Sequence, residues 1–111
     1  MLLVSQKMNE AQSTAYSTFN TTVDLGVSKK IKLKAYNSGY NTNDTYTIKL
    51  QLGNTNGYVE ATATISEKEQ WQVLEFDFSN EDTVTFYNIR VSWDFESWYD
   101  ELYIDEIEYK L

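Results

Sequence analysis

The sequence predicts an all-β protein: a two-sheet antiparallel β-sandwich (jelly roll) of about eight strands, formed by a single domain over residues 1-111. Three observations predict this fold. Aromatic residues make up 15% of the chain, with nine tyrosines, and such residues suit a half-buried pleated surface. Apolar and polar residues alternate with a period of two in most segments. Turn-forming Asn, Gly, Ser and Asp separate those segments, and no segment has a convincing helical pattern.

The strands follow from this alternation in chain order. In the segment from Lys30 to Tyr36, lysine alternates with apolar residues. The later segments show the same alternation of polar and apolar residues, with other polar side chains. The stretch from Gly53 to Gly57 lies between two well-phased strands and predicts a hairpin connection. Ser66 to Gln70 is at most one helical turn. The predicted strands cover residues 2-6, 16-23, 30-36, 45-52, 57-65, 71-78, 86-95 and 101-109.

The last predicted strand changes its alternation partway along. Leu102 and Ile104 share one parity, whereas Ile107 has the other. A β-bulge at Asp105 and Glu106 would let both parts of the strand face the core. Because bulges re-aim side chains, the sequence also predicts an unusual direction for Asp105.

Composition excludes several classes of function. The chain has no His and no Cys, which removes Ser-His-Asp and Cys-His catalysis, disulfides and the usual zinc ligand sets. The formal net charge is -8 and Arg90 is the only arginine, so nucleic-acid binding is not expected. No apolar run approaches the ~20 residues of a membrane-spanning helix, so membrane insertion is not expected either. Nothing marks a catalytic carboxyl pair, and we expect no enzyme activity.

Three segments of the second half form an ordered series: Trp71 to Phe78, Tyr87 to Phe95, and Leu102 to Ile107. Together with Thr21 to Leu25 and Lys30 to Leu33, they resemble the strands of β-sandwich carbohydrate-binding modules of the family 4, 9, 16 and 22 type. This resemblance implies a polysaccharide or oligosaccharide ligand and a covalently attached or partner glycoside hydrolase domain. It also implies a secreted or extracellular location, although the apolar start of this chain is too short for a signal peptide core.

A structural calcium ion is a further expectation. The second half is strongly acidic, and its densest carboxylate group suits calcium, which takes oxygen ligands. There is no EF-hand spacing, and an acidic loop facing water is the favoured interpretation. The resemblance implies that Asp105 is the ligand, because similar modules use the equivalent aspartate. The carboxylates of this group are Asp94, Glu96, Asp100, Glu101 and Asp105.

The jelly-roll order predicts one binding surface. It places strands two, four, five and seven in one sheet, the sheet across which the resembled modules hold glycan chains. Flat rings stack on the C-H face of a sugar, and planar amides and guanidinium groups pair with its hydroxyls. The predicted carbohydrate-binding residues are Arg90, Tyr58, Asn88, Gln51, Lys49 and Asn20 on this sheet, with Trp98 and Tyr99 in a nearby loop. The other sheet should show ordinary solvated residues: Lys32, Lys34, Glu75 and Asp77.

The aromatic residues have competing interpretations. Trp93 has core parity and should pack in the interior. Packing is also favoured for Trp71, which begins its strand, since similar modules bury a ring there. Trp98 and Tyr99 lie among polar residues without core periodicity, so a ligand role and a structural role both stay open. Tyr36, Tyr40 and Tyr58 are weaker candidates for the same ligand role.

The sequence therefore favours a non-catalytic module that binds a polysaccharide and concentrates an associated enzyme on it. A neutral glycan such as a β-glucan or xylan fits the acidic chain better than an anionic one. The alternative is a structural or adhesive β-sandwich domain of a surface or secreted protein, with no glycan ligand. That alternative predicts outward faces without clustered rings. A small hydrolase is a third, less favoured hypothesis.

Overall fold

Eight β-strands form the regular structure of the protein in a computed structural model, which describes residues 2–8, 16–82, 85–97 and 99–109. The predicted all-β fold is confirmed, and no helix occurs among these residues. The strands are β1 (Leu2–Met8), β2 (Tyr16–Asp24), β3 (Lys30–Asn37), β4 (Tyr46–Asn54), β5 (Gly57–Ile65), β6 (Trp71–Asp77), β7 (Thr85–Trp93) and β8 (Leu102–Glu108).

The strands form two four-stranded antiparallel sheets. The first sheet has the order β1-β8-β3-β6, and the second has the order β2-β7-β4-β5. The predicted grouping of strands two, four, five and seven is therefore confirmed. Across the described parts of the chain, no helix is long and apolar enough to cross a membrane.

The core lies between the two sheets and is filled by alternate residues of each strand. Ile31 and Leu33 of β3 are fully buried, as are Leu50 of β4 and Val91 of β7. Trp93, at 7% exposure, belongs to the same core, so its predicted packing role is confirmed. Each fully buried apolar side chain stabilises the fold by about 1.5–3 kcal/mol relative to an exposed one, and this burial fixes which face of each strand points outward.

The β4–β5 hairpin is tighter than the sequence predicts. The two strands stay paired as far as Asn54 and Gly57, so the turn consists of only Thr55 and Asn56. The backbone N–H of Asn56 donates to Asn54 Oδ1 at 2.8 Å, and Gly57 has a φ of 126°. Gly53 is therefore a strand residue of β4 and not part of the turn.

The predicted bulge in β8 is present. Ile107 lies opposite Leu33 and Asp105 lies opposite Lys34, which leaves Glu106 as the extra residue. Glu106 has a φ of 47°, in the left-handed region, and its carboxylate pairs with Lys34 Nζ at 2.7 Å. The bulge places both Ile104 and Ile107 in the core, at 1% and 0% exposure.

The positive φ of Glu106 leads to a test of the bulge. Glu106→Gly and Glu106→Ala both remove the exposed ion pair, but only Gly adopts this backbone conformation without steric cost. We expect the Gly variant to be more stable than the Ala variant by about 1 kcal/mol in urea unfolding. Glu75, which pairs with Lys30 in the regular strand β6, is the matched control. There the order should reverse, and Ala should exceed Gly by about 0.5–1 kcal/mol. A Gly variant less stable than Ala at both positions would contradict the bulge.

Candidate functional site

Six of the eight predicted binding residues lie on the outer face of the second sheet. We call this surface the Arg90 face. Each of the six alternates along its strand with residues that the core covers, such as Leu50, Leu52, Ile89 and Val91. The six are Arg90, Tyr58, Asn88, Gln51, Lys49 and Asn20.

One row of cross-strand neighbours carries most of the planar polar groups. Thr18 lies opposite Arg90, Arg90 lies opposite Gln51, and Gln51 lies opposite Glu60. Directly opposed residues in an antiparallel sheet have their Cβ atoms about 4.5–5.5 Å apart. A hydroxyl, a guanidinium, an amide and a carboxylate therefore lie side by side across all four strands. Glu60 also pairs with Lys49, at 3.4 Å between Nζ and Oε2.

The next row is shaped by a glycine. Asn20 lies opposite Asn88, Asn88 opposite Gly53, and Gly53 opposite Tyr58. A Cβ atom on Gly53 would lie 2.5 Å from Asn88 Oδ1 and 2.7 Å from Tyr58 Cε1. The Asn88 amide and the Tyr58 ring therefore close over the bare backbone of Gly53. Asn88 Oδ1 is buried there and has no hydrogen-bond partner among the described residues.

Tyr58 joins the two rows. Its side chain is 53% exposed, and the guanidinium carbon of Arg90 lies 5.5 Å from the centre of its ring. A cation over an aromatic ring at this distance is attracted to it, by about 0.5–1 kcal/mol at exposed sites. The contact holds a ring and a planar donor group together at one place on the sheet. The sequence predicts both residues for this surface, but it does not predict the role of Gly53, which was placed in the turn.

An open cleft extends the Arg90 face along the same strands. It has a volume of about 360 Å³ and is lined by Thr47, Lys49, Ser92, Trp93 and Asp94. Lys49 and Ser92 lie opposite each other, and so belong to the row after that of Arg90 and Gln51. The volume falls within the usual range for small-molecule sites.

The predicted loop residues are only partly placed. Tyr99 is 79% exposed, and its backbone N–H donates to Ser97 Oγ at 3.3 Å. Trp98 lies outside the described residues. The structure thus brings six of the eight candidates together, and it shows Tyr99 as an exposed ring in the loop between β7 and β8.

A buried carboxylate anchors that loop. Asp100 is 3% exposed and accepts hydrogen bonds from Tyr46 Oη at 2.6 Å and from the backbone N–H and hydroxyl of Thr42 at 3.0 and 2.9 Å. The backbone N–H groups of Glu96 and Ser97 donate to it as well, both at 3.2 Å. Burial raises the pKa of Asp100, but the hydrogen bonds from Tyr46 and Thr42 outweigh burial and hold the pKa below its usual value.

Protein donors therefore occupy the Asp100 carboxylate, which leaves it unsuited to calcium. Asp105 lies opposite Lys34, and its Oδ1 accepts the backbone N–H of Glu106 at 2.9 Å. Within the described residues no group of three or more Asp, Glu, His or Cys side chains is placed to hold a metal ion. Calcium takes six to eight oxygen ligands, so Asp105 alone does not make such a site. Calcium binding at Asp105 stays a prediction.

The outer face of the first sheet departs from its prediction. Lys32, Glu75 and Asp77 are exposed, as expected. Trp71, however, is 53% exposed, so the prediction that it packs in the interior is wrong. The reason is strand parity: Leu74 points into the core, and Trp71, three residues earlier, therefore points outward. The alternation of β6, extended to its first residue, was the signal for this.

Comparison with known proteins shows which solved structures share this fold. No protein-family model matches the chain, and no curated protein matches it significantly. The chain is similar to the solved structure of a family 30 carbohydrate-binding module, with a TM-score of 0.51, 9% identity, and coverage of 86% of this chain and 60% of that one. It is also similar to the family 30 carbohydrate-binding module of a cellulosomal cellulase of Clostridium thermocellum, with a TM-score of 0.50, 10% identity, and coverage of 83% and 64%.

These similarities define the class of fold. The chain has the β-sandwich fold of carbohydrate-binding modules, and it spans about three fifths of the length of the modules it matches. The likeness is to family 30 modules, so the resemblance to the family 4, 9, 16 and 22 type is not supported at the level of family. Short β-strand motifs such as Trp71 to Phe78 are shared by many sandwiches, which explains why they indicated the fold and not the family.

Proposed function

We propose that this protein is a non-catalytic carbohydrate-binding module that binds a polysaccharide or oligosaccharide on the Arg90 face. The observation that carries the proposal is that Arg90, Gln51, Asn88 and Tyr58 lie on two adjacent rows of one sheet. The fold shared with carbohydrate-binding modules supports it. So does an outer face that is rich in hydroxyl, amide and guanidinium groups.

The two rows supply complementary contacts to a sugar. The exposed part of the Tyr58 ring meets the apolar C-H face of a pyranose. Arg90 and Gln51 lie opposite each other and present planar groups with several donors and acceptors, which suit neighbouring hydroxyls on one sugar ring. The cleft at Lys49 and Ser92 continues the surface along the strands, so a glycan chain extends over more than one sugar unit.

The net charge of the chain narrows the class of polysaccharide that the Arg90 face can bind. With a formal net charge of -8, the protein repels strongly anionic polysaccharides at a distance. Lys49 on the Arg90 face is paired with Glu60, so these two residues add no net charge to the surface. A neutral glycan such as a β-glucan or xylan therefore fits this surface.

The proposed biological role of the module is to tether an enzyme to its substrate. We propose that the module is secreted or extracellular and that it targets a covalently attached or partner glycoside hydrolase to its substrate. Weak binding by the module raises the effective concentration of such an enzyme at the polysaccharide surface. The alternative, a structural or adhesive domain, predicts outward faces without clustered rings. The outer face of the first sheet carries neighbouring rings, with Tyr36 and Trp71 at 5.5 Å between centroids, which disfavours that alternative.

Variants of the Arg90 face test the proposal. We expect Tyr58→Ala and Arg90→Lys each to weaken binding of cellohexaose or xylohexaose by about tenfold in isothermal titration calorimetry, since a lost contact of ~1.4 kcal/mol has this effect. Arg90→Lys keeps the charge and removes only the planar fork. Gly53→Ala should weaken binding in the same direction, because its Cβ displaces Tyr58 and Asn88.

Val27→Ala is the control, since Val27 is 99% exposed in the turn between β2 and β3 and should not alter affinity. Thermal midpoints establish that each variant is folded. Unchanged affinity in both Tyr58→Ala and Arg90→Lys would reject the Arg90 face. Absence of binding to neutral plant, algal and fungal polysaccharides on a glycan array would favour the structural or adhesive domain.

A further inference from the structure

A row of aromatic residues crosses the first sheet on the side opposite the Arg90 face. Tyr36 of β3 lies opposite Trp71 of β6 on one side and opposite Tyr103 of β8 on the other, and Lys7 of β1 follows Tyr103. We call this surface the Trp71 face. The Tyr36 and Trp71 rings are 5.5 Å apart at 46°, and the Tyr36 and Tyr103 rings are 6.2 Å apart at 70°. Folding leaves these rings at the surface, with Trp71 53% exposed.

Two open clefts on this face share Trp71 in their lining. A volume of about 370 Å³ lies on one side, lined by Tyr36, Ser38, Tyr40, Trp71, Glu101 and Tyr103. A volume of about 410 Å³ lies on the other, lined by Lys34, Trp71, Gln72, Val73 and Asp105. Each is large enough for a small polar ligand. Four of the six residues around the first cleft are aromatic, and Tyr40 among them is 99% exposed.

Most of the charged groups around the two clefts are paired. Glu101 binds Lys7 Nζ at 2.9 Å and also accepts the Tyr103 hydroxyl at 3.2 Å. Lys34 binds Glu106 at 2.7 Å. The first cleft therefore offers rings and polar atoms with little net charge, and the second adds the carboxylate of Asp105. This chemistry fits a neutral, hydroxyl-rich ligand with apolar C-H faces, because a carboxylate accepts hydrogen bonds from hydroxyls, and it disfavours an anion.

We propose that the Trp71 face is a second carbohydrate-binding site, which takes a neutral oligosaccharide with one sugar unit on each side of the Trp71 indole. Tyr36, Tyr103 and Tyr40 pack against the unit in the first cleft, and the Glu101–Lys7 pair bonds to its hydroxyls. Because the two sheets of a sandwich turn their outer faces in opposite directions, the module holds two glycan chains at once. The proposal shares a ligand class with the proposed function but uses none of its residues.

Indole signals separate the two sites. The chain has three tryptophans, of which Trp93 is buried, and Trp71→Phe assigns the Trp71 indole N–H in a proton–nitrogen correlation spectrum. On titration with cellohexaose or xylohexaose, we expect this signal to shift in the wild type and equally in Tyr58→Ala. Calorimetry should give two equivalents of ligand for the wild type and one for Trp71→Ala.

Each outcome decides between the sites. A Trp71 signal that stays unmoved at saturation, with one equivalent bound in both wild type and Trp71→Ala, overturns the second site and leaves the Arg90 face standing. A shift at Trp71 with no effect of Tyr58→Ala on affinity or stoichiometry supports the second site and rejects the Arg90 face. No binding at either face rejects both. Val27→Ala, which removes an exposed apolar side chain elsewhere, should behave as the wild type.

Discussion

Asp100→Asn is expected to destabilise the protein by about 3 kcal/mol, which corresponds to a fall of about 10 °C or more in the thermal midpoint. Tyr46 and three backbone N–H groups donate to the two carboxylate oxygens of Asp100. Asn has nearly the same shape but replaces one oxygen with an NH₂ group, which cannot accept. NH₂ in place of Oδ2 faces the backbone N–H groups of Glu96 and Ser97, and NH₂ in place of Oδ1 faces that of Thr42. Hydroxyl groups can turn to accept from NH₂, but a backbone N–H cannot, so at least one buried donor loses its partner, and the charge that strengthens the remaining bonds is removed.

Asp77→Asn is the matched control for this effect. Asp77 also accepts a backbone N–H, that of Ser79 at 2.8 Å, but it is exposed. Water replaces the lost contact there, so the loss should stay below about 1 kcal/mol in urea unfolding. Equal losses for Asp77→Asn and Asp100→Asn would show that the converging donors around Asp100 have no special importance.

The second large effect concerns alkaline pH. Burial, together with the hydrogen bond to Asp100, raises the pKa of Tyr46 to about 12. The folded protein therefore keeps a proton that the unfolded chain releases above pH 10.0. The contribution of this group is complete below pH 10 and is lost as pH rises towards 12. A shift of this size corresponds to about 2 to 3 kcal/mol.

Comparison with Tyr46→Phe isolates this contribution, since lysines titrate in the same pH range. The free energy of unfolding of the wild type should fall more steeply between pH 10 and 12 than that of Tyr46→Phe. Tyr87→Phe, which removes the hydroxyl of a ring that is 55% exposed, should keep the wild-type slope. Parallel curves for the wild type and Tyr46→Phe would contradict the buried, protonated state of Tyr46.

Strand parity explains why so much of the fold was predictable. A period of two assigns each residue to the core or to the surface, and turn residues mark where strands end. The Arg90 face followed from parity once the jelly-roll order was assumed, and the break in parity at Glu106 located the bulge of β8. These features depend on local sequence, which is why they were accessible from it.

The features that were missed depend on contacts between distant residues. Gly53 looked like a turn residue because its neighbours in sequence are polar, and its role arises from Tyr58 and Asn88 on flanking strands. In the sequence, Asp100 looked like one of several exposed acidic residues. In the fold it is buried, and its partners Thr42 and Tyr46 lie far from it in sequence. No local sequence pattern predicts contacts of this kind.

The strand order has a consequence for how the chain reaches this state. Of the pairings within the two described sheets, only β4 with β5 joins strands that follow each other in sequence. Proteins dominated by such distant pairings fold in milliseconds to seconds, because long loops must close before contacts form. β8 lies between β1 and β3, so the first sheet stays incomplete until β8 has been synthesised. The strands of the second sheet all precede β8, so we expect that sheet to pair before the first one is complete.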